Sequence, residues 1–331
     1  LLLTNSETDV ASGAEKRRDI VAVRSHHEGA KSEHFLSVTK LLLQSVRPIE
    51  SQLTESDLLI LRVIYAPAHA ARLSWQKFRD SGTPIEAMDT HSYELLPPLT
   101  QRLIDLAVVD SCLDKLKGHQ RFTWTNNQIK LRKLADCLVQ FKERGIEALV
   151  LNGSALALST ALMRGAKPLG PQWVMVRSAD YARSLDLVRQ LQVSVRVCRH
   201  LPGDLHNLVW QQAELRSLNG QNFLVMNPPD LLICHLLSKK LTEPEQAVWF
   251  VDAVRLLTLC NTSEHIDIFT RHLSESSLAL PVLKAWSFIK SVCRLIDLDP
   301  SSFLLADTLD SMRVSMKEVS IRCVGKLRGL V

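Results

Sequence analysis

The residues best suited to chemistry lie in the run 145–180, GIEALVLNGSALALSTALMRGAKPLGPQWVMVRSAD. An apolar stretch ends in Asn152-Gly153-Ser154, and an Ala- and Leu-rich run follows. Backbone N–H groups at the start of a helix can hold a phosphate, and small residues there let it approach closely. Gly153 and Ser154 are therefore candidate ligand-binding residues. Metal-dependent phosphate chemistry also needs carboxylates. Acids two apart on a strand point to the same side and can grip one site, where paired metals stabilise the attacking and leaving oxygens. The second apolar stretch, residues 171–176, reads PQWVMV and carries no acid. Asp180 and Asp186 follow it and read as helix-capping or solvated residues.

These residues need elements to position them. The short apolar run 146–151 is bounded by Gly145 and Asn152-Gly153 and predicts a buried strand. Residues 154–163, SALALSTALM, predict a helix with Ser154 as its N-cap. WVMV predicts a second buried strand, and Ser178 a cap for a helix that turns Leu185, Val188 and Leu191 inward. VSVRVC alternates as a half-buried third strand, and NLVWQQAEL predicts a fourth. Together they make a small α/β unit. Upstream, Leu131, Leu134, Leu138 and Phe141 recur at helical spacing, and Arg144 and Gly145 are C-terminal signals for that helix. After Pro228-Pro229 the chain turns helical again. Its last segment aligns Met312, Met316, Val319, Cys323 and Leu327, with Arg and Lys elsewhere around it. That pattern suits a membrane-surface helix, but its ordinary use is packing on its own domain.

The expected architecture is α+β and mostly helical, with a small mixed-sheet core flanked by N- and C-terminal helical regions. The divisions fall at 1–33, a loose polar extension; 34–144, helical; 145–227, the α/β core; and 228–331, helical. His26 and His27 lie in the extension without further ligands and read as polar surface.

Composition bounds the function class. The 331 residues are 46% hydrophobic and 23% charged, the profile of a globular protein. A formal net charge of +5, scattered among acids, gives no strong nucleic-acid signal. Seven separated cysteines without a C-x-x-C pair suit reduced thiols and a cytoplasmic location, not a zinc site. No apolar run reaches the ~20 residues that span a bilayer. Leu1–Leu3 is followed at once by polar residues, unlike a signal peptide, and the chain begins without Met, as a trimmed terminus would. Trp75, Trp249 and Trp286 read as core or groove aromatics, and His235 as a hydrogen-bonded packing residue. His265 and His272 share a helix face without an evident acid partner.

The order of segments resembles the putative nucleotidyltransferase family of the DNA polymerase β-like superfamily. That family reads as an apolar strand, Leu-Lys-Gly, an Ala/Leu-rich helix, an Arg and then Asp-Ile-Asp-Leu-Leu-Val. GIEALVLNG resembles the strand and loop, and residues 171–176 fall at the place of the acidic strand, Pro171 standing eighteen residues beyond Gly153. SWQKFRDSGTPIEAMDTHSYELLPPLTQRL resembles the family's N-terminal helices, and SADYARSLDLVRQLQ the helix after the acidic strand. PPDLLICHLLSKKLTEPEQAVWFVDAVRLL resembles the C-terminal helices, whose Trp-containing helix carries an Asp, here Asp252. No single motif is intact, so the likeness rests on order and spacing.

The departures fall at the chemistry. Against the family pattern, Asn152 replaces Lys, Pro171 and Trp173 replace both metal-binding Asp, and Lys167 replaces Arg. The family's third acid opens an Asp-Leu-His-Trp segment on a later strand. Anchoring on Trp210 puts Asn207 at the acid, whereas anchoring on Asp204-Leu205-His206 leaves Asp204 as the surviving acid. The resemblance thus implies a catalytically degenerate nucleotidyltransferase-like protein, a pseudoenzyme acting as an accessory protein that binds a small ligand or a protein partner. Its ligand residues would be Asn152, Gly153, Ser154, Lys167 and Trp173, with no metal and no cofactor. The alternative is an active enzyme that transfers NMP from an NTP with magnesium, using a rewired site around Gly153, Ser154 and Asp204, with His206 as the other catalytic candidate.

Overall fold

Thr54 opens the first helix of the computed structural model, which describes residues 53–85, 88, 92–159, 165, 167–201, 205–238, 246–275 and 278–315. Helix α1 (Glu55–Tyr65) starts with a capping box. The Thr54 hydroxyl accepts from the Asp57 backbone N–H, and the Asp57 carboxylate accepts from that of Thr54, each at 3.1 Å. Helices α2 (Ala68–Asp80) and α3 (Leu96–Asp105) pack against α1. The long helix α4 (Leu113–Glu143) then runs to the sheet. Leu131, Leu134, Leu138 and Phe141 are all buried along it, as their spacing predicts. Each contributes about 1.5–3 kcal/mol by leaving water.

The end of α4 is set by backbone geometry. Gly145 has φ +67°, and its N–H donates to the Lys142 carbonyl at 3.0 Å. The Ile146 N–H donates to the Phe141 carbonyl at 2.9 Å, closing a Schellman motif that turns the chain into the sheet.

The sheet has five strands: β1 (Ala148–Leu151), β2 (Gln172–Val176), β3 (Val195–Cys198), β4 (Glu214–Leu218) and β5 (Gln221–Val225). Their order is β3-β2-β1-β5-β4. β1 is antiparallel to β2 and parallel to β5, β2 is parallel to β3, and β4 and β5 form a hairpin. The fold is α+β, mostly helical, with a small mixed sheet. Helix α5 (Asn152–Ser159) follows β1, and α6 (Tyr181–Leu191) follows β2 after a short 3-10 turn. Ser184 and Leu187 are the buried centre of α6, flanked by half-buried Leu185, Val188 and Leu191.

The fourth predicted strand is corrected. Residues 205–211, within NLVWQQAEL and just before it, form helix α7 (Leu205–Gln211), and the strand starts only at Glu214. Leu205, Val209 and Trp210 are the buried residues of α7, a helical spacing within a short apolar run that also fits a strand. The fifth strand was not anticipated. Asn219 and Gly220, at φ +52° and +76°, form the two-residue turn that joins β4 to β5.

Helices α8 (Pro228–Leu236), α9 (Gln246–Leu259), α10 (Ser263–Glu275) and α11 (Ala279–Leu295) follow, and the described residues end in a further helical run, 306–315. Helix α8 packs on α5, α9, α10 and α11, so the C-terminal helices close over the sheet's own helix. One apolar cluster runs from Leu53 to Leu309 through all these elements. Among the described residues no helix is long and apolar enough to cross a membrane. Six cysteines are described and all are free. The extension 1–33 with His26 and His27, and the stripe positions Met316, Val319, Cys323 and Leu327, lie outside the described residues; Met312 packs against the core.

Candidate functional site

The turn after β1 is held by an unusual backbone. Asn152 sits at φ +53°, in the left-handed region that Asn tolerates better than most side chains. It is exposed. Helix α5 begins at Asn152, so Ser154 lies inside the first turn instead of capping it. Ser154 is buried, only 3% exposed, which leaves its hydroxyl closed to an incoming ligand. Gly153 has no special geometry: a Cβ built on it would meet Leu169 at 3.7 Å, an ordinary contact. The glycine is therefore not demanded by local packing.

Trp173 stands directly across from Leu151 at the C-terminal end of β1, beside the turn. Its other strand neighbour is Arg196 of β3, whose guanidinium lies 5.4 Å from the indole centroid. Trp173 is half-buried, and Pro171 lies exposed just before β2. The segment leading into β2 is pinned to α4. Asn127 donates from its amide to the Lys167 carbonyl at 2.7 Å and accepts from the Leu169 N–H at 2.9 Å. The Gln172 amide donates to the Lys130 carbonyl at 2.5 Å, and the Lys130 ammonium donates to the Leu169 carbonyl. Further along the same connection, Gly165 gives Trp124 room, since a Cβ there would come within 3.2 Å of its ring.

Lys167 does not project as a free cation. Its ammonium is paired with the Asp252 carboxylate on α9, and the other carboxylate oxygen stands 3.5 Å from Arg255. Burial pushes the Asp252 carboxyl up, but Lys167, His235 and Arg255 outweigh it and hold the group below the ordinary aspartate range. His235 packs as expected, stacked on Trp249 at 5.0 Å with its Nε2 2.9 Å from the Trp249 carbonyl.

Asp204 lies outside the described residues. His206 is on α7, next to His200 and facing the charge of Arg177. Because Ala148 pairs with Val176 and Leu151 with Trp173, Arg177 lies at the opposite end of β2 from the Asn152 turn. At about 3.3 Å per residue the two ends are roughly 13 Å apart. The structure thus gathers Asn152, Gly153, Ser154 and Trp173 at one end of the sheet and places His206 at the other. Asn207 and Trp210 lie on α7, a helix, whereas the family segment they were matched to is a strand.

The turn does not fit a magnesium–nucleotide centre. Pro171 and the residues of β2 supply no carboxylate beside it, and the buried Asp252 carboxylate is already held by Lys167 and Arg255. Among the described residues no group of three or more His, Cys, Asp and Glu could hold a metal ion. No family model, curated protein or solved structure matches this chain.

Two clusters escaped the sequence. Asp230 of α8 is the acid partner of His272, Oδ1 to Nδ1 at 2.5 Å, with both residues buried. Their separation of 42 residues hides the pair from any local pattern. Arg177, His200, His206 and Trp210 likewise converge only through the parallel pairing of β2 and β3 and the placement of α7.

Proposed function

We propose that this chain is a nucleotidyltransferase-like binding protein that does not transfer nucleotides, a pseudoenzyme that serves as an accessory to a small ligand or a protein partner. The place of Trp173 carries the reading. On β2, beside the turn where a metal-holding acid would be needed, stands an indole with the Arg196 guanidinium 5.4 Å from its centroid. The pairing of Lys167 with Asp252 supports it, since that ammonium is already neutralised. Metal ligands are hard to replace because two-metal chemistry needs anionic oxygens on both ions.

Any ligand at the turn would meet backbone N–H groups, the Asn152 side chain and the Trp173 ring, a surface suited to stacking and hydrogen bonding without a metal. A reduced, cytoplasmic setting agrees with the six described cysteines of the seven, all free and with thiols raised by burial, Cys137 and Cys198 to about 11.

Calorimetric titration with each common nucleoside triphosphate, first with magnesium and then with a chelator, tests the reading. The expected heats are the same in both conditions, with no release of pyrophosphate. Magnesium-dependent binding that Asp204→Ala abolishes would overturn it in favour of an active enzyme with a rewired site.

A further inference from the structure

The end of the sheet opposite the Asn152 turn holds a second constellation. Arg177 follows β2, His200 follows β3, and His206 and Trp210 belong to α7. The Arg177 guanidinium lies over the Trp210 ring, 3.9 Å from its centroid, while its Nε donates to the Glu147 carboxylate at 2.8 Å. The His200 and His206 rings stand 5.6 Å apart. Arg199, the preceding residue in the chain, lies over the Tyr181 ring at 5.1 Å. Burial, then His200, then Arg177 hold the His206 ring below the ordinary histidine range. Cationic and cation-capable groups have been brought together here, with Glu147 as the one carboxylate in contact with them among the described residues.

Two buried polar atoms at this place lack a hydrogen-bond partner, the Trp210 Nε1 and the His206 Nδ1. Trp210 is only 9% exposed. Other buried indoles are satisfied: Trp75 donates to Asp110 at 3.1 Å, Trp249 to Ser238 at 2.9 Å and Trp286 to Asp310 at 2.8 Å. A buried donor left unmet is costly, so an unmet indole N–H on the residue that carries the Arg177 guanidinium asks for an acceptor. The acceptor that suits an arginine edge, two imidazoles and an N–H is a tetrahedral oxyanion with several oxygens. Arg177 remains reachable, its side chain 45% exposed, and His200 is exposed.

We propose that Arg177, His200, His206 and Trp210 form a binding site for a phosphate group, separate from the Asn152 turn. The phosphate is that of free orthophosphate or of a nucleoside monophosphate. Arg177 supplies the fixed charge, its guanidinium held over the Trp210 ring, and the two imidazoles offer ring N–H donors. The site does not depend on whether the turn has lost nucleotidyl transfer.

The test follows the indole N–H and histidine ring resonances of the full chain by NMR. Inorganic phosphate, AMP and sodium chloride are titrated separately at matched ionic strength. Phosphate should shift the Trp210 indole signal, assigned with Trp210→Phe, along a saturable curve, and should move the His206 ring titration to higher pH. His200→Gln and Arg177→Gln should each weaken phosphate at least tenfold, whereas Arg189→Gln, on the exposed side of α6, should not. His200→Gln is the safer variant for folding because the residue is exposed. Equal affinity for phosphate and AMP would identify free phosphate as the ligand, and tighter AMP a nucleotide; either supports the site. Equal shifts with chloride, or an affinity unchanged in both variants, would overturn it.

Discussion

Asn152 shows how a single backbone angle can outrank a catalytic motif. With φ at +53°, the residue joining β1 to α5 occupies a region where a Cβ crowds the carbonyl, at a cost of roughly 1–2 kcal/mol for most residues. Asn relieves part of that by local hydrogen bonding, and Gly has no penalty at all. A lysine at this position, as the resembling family has, would carry the full strain in this backbone. Asn152→Gly is therefore expected to match or slightly exceed the stability of the native chain, and Asn152→Lys to lose about 1 kcal/mol. Urea denaturation followed by circular dichroism separates the two. A Lys variant as stable as the native protein would mean that the turn adopts another conformation.

At the scale of elements, the termination of α4 decides where the sheet begins. The Schellman motif needs Gly145 in the left-handed region, with nothing within 4 Å of where its Cβ would be. Gly145→Ala should therefore cost about 1 kcal/mol through backbone strain alone, without a steric clash. It should lower the urea midpoint and leave its slope unchanged. This boundary was legible in the sequence because every signal lay within a few residues: the apolar face ending at Phe141, Arg144 and then Gly145. β1 and β2 were legible for the same reason, as short apolar runs between turn residues. Residues 205–211 were not, since a run of Leu, Val and Trp fits a strand as well as a helix when its length is near one or two turns. The Asn219-Gly220 pair, flanked by ELRSL and QNFLV, was the available sign of the β4–β5 hairpin. The site was legible only as a set of positions. That Lys167 meets Asp252, 85 residues away, depends on how α9 docks, and nothing local encodes it.

Across the whole molecule, that same contact ties the approach to β2 to the C-terminal helices and makes stability depend on pH. Asp252 is held below the ordinary aspartate range in the folded state, so its contribution is fully present above the unfolded value near pH 4 and is lost as pH falls through the lower folded value. Asp110 and Asp310 are lowered as well: burial opposes the shift, but contacts with Cys112, Arg79 and Trp75 in one case and Lys290, Trp286 and Arg313 in the other prevail. All three give a slope of the same sign, with stability falling into acid. Replacing Asp252 by Asn removes the charge but keeps the shape, leaving Lys167 and Arg255 facing a neutral amide. At pH 7 Asp252→Asn should cost about 3 kcal/mol, the low end for breaking a buried pair, because the Lys167 side chain keeps 21% of its exposure. The difference should begin to shrink below about pH 4, where the unfolded chain takes up the proton first, and should vanish only once pH has fallen through the lower folded value and the native carboxyl is neutral as well. One continuous apolar cluster links the helices and the sheet, so far-ultraviolet dichroism and tryptophan fluorescence should report a single coincident transition in both proteins. A cost that stays constant from pH 7 to pH 3 would mean that Asp252 acts through packing and not through its charge. Two separated transitions would mean that the sheet and the C-terminal helices fold as independent units despite their shared core.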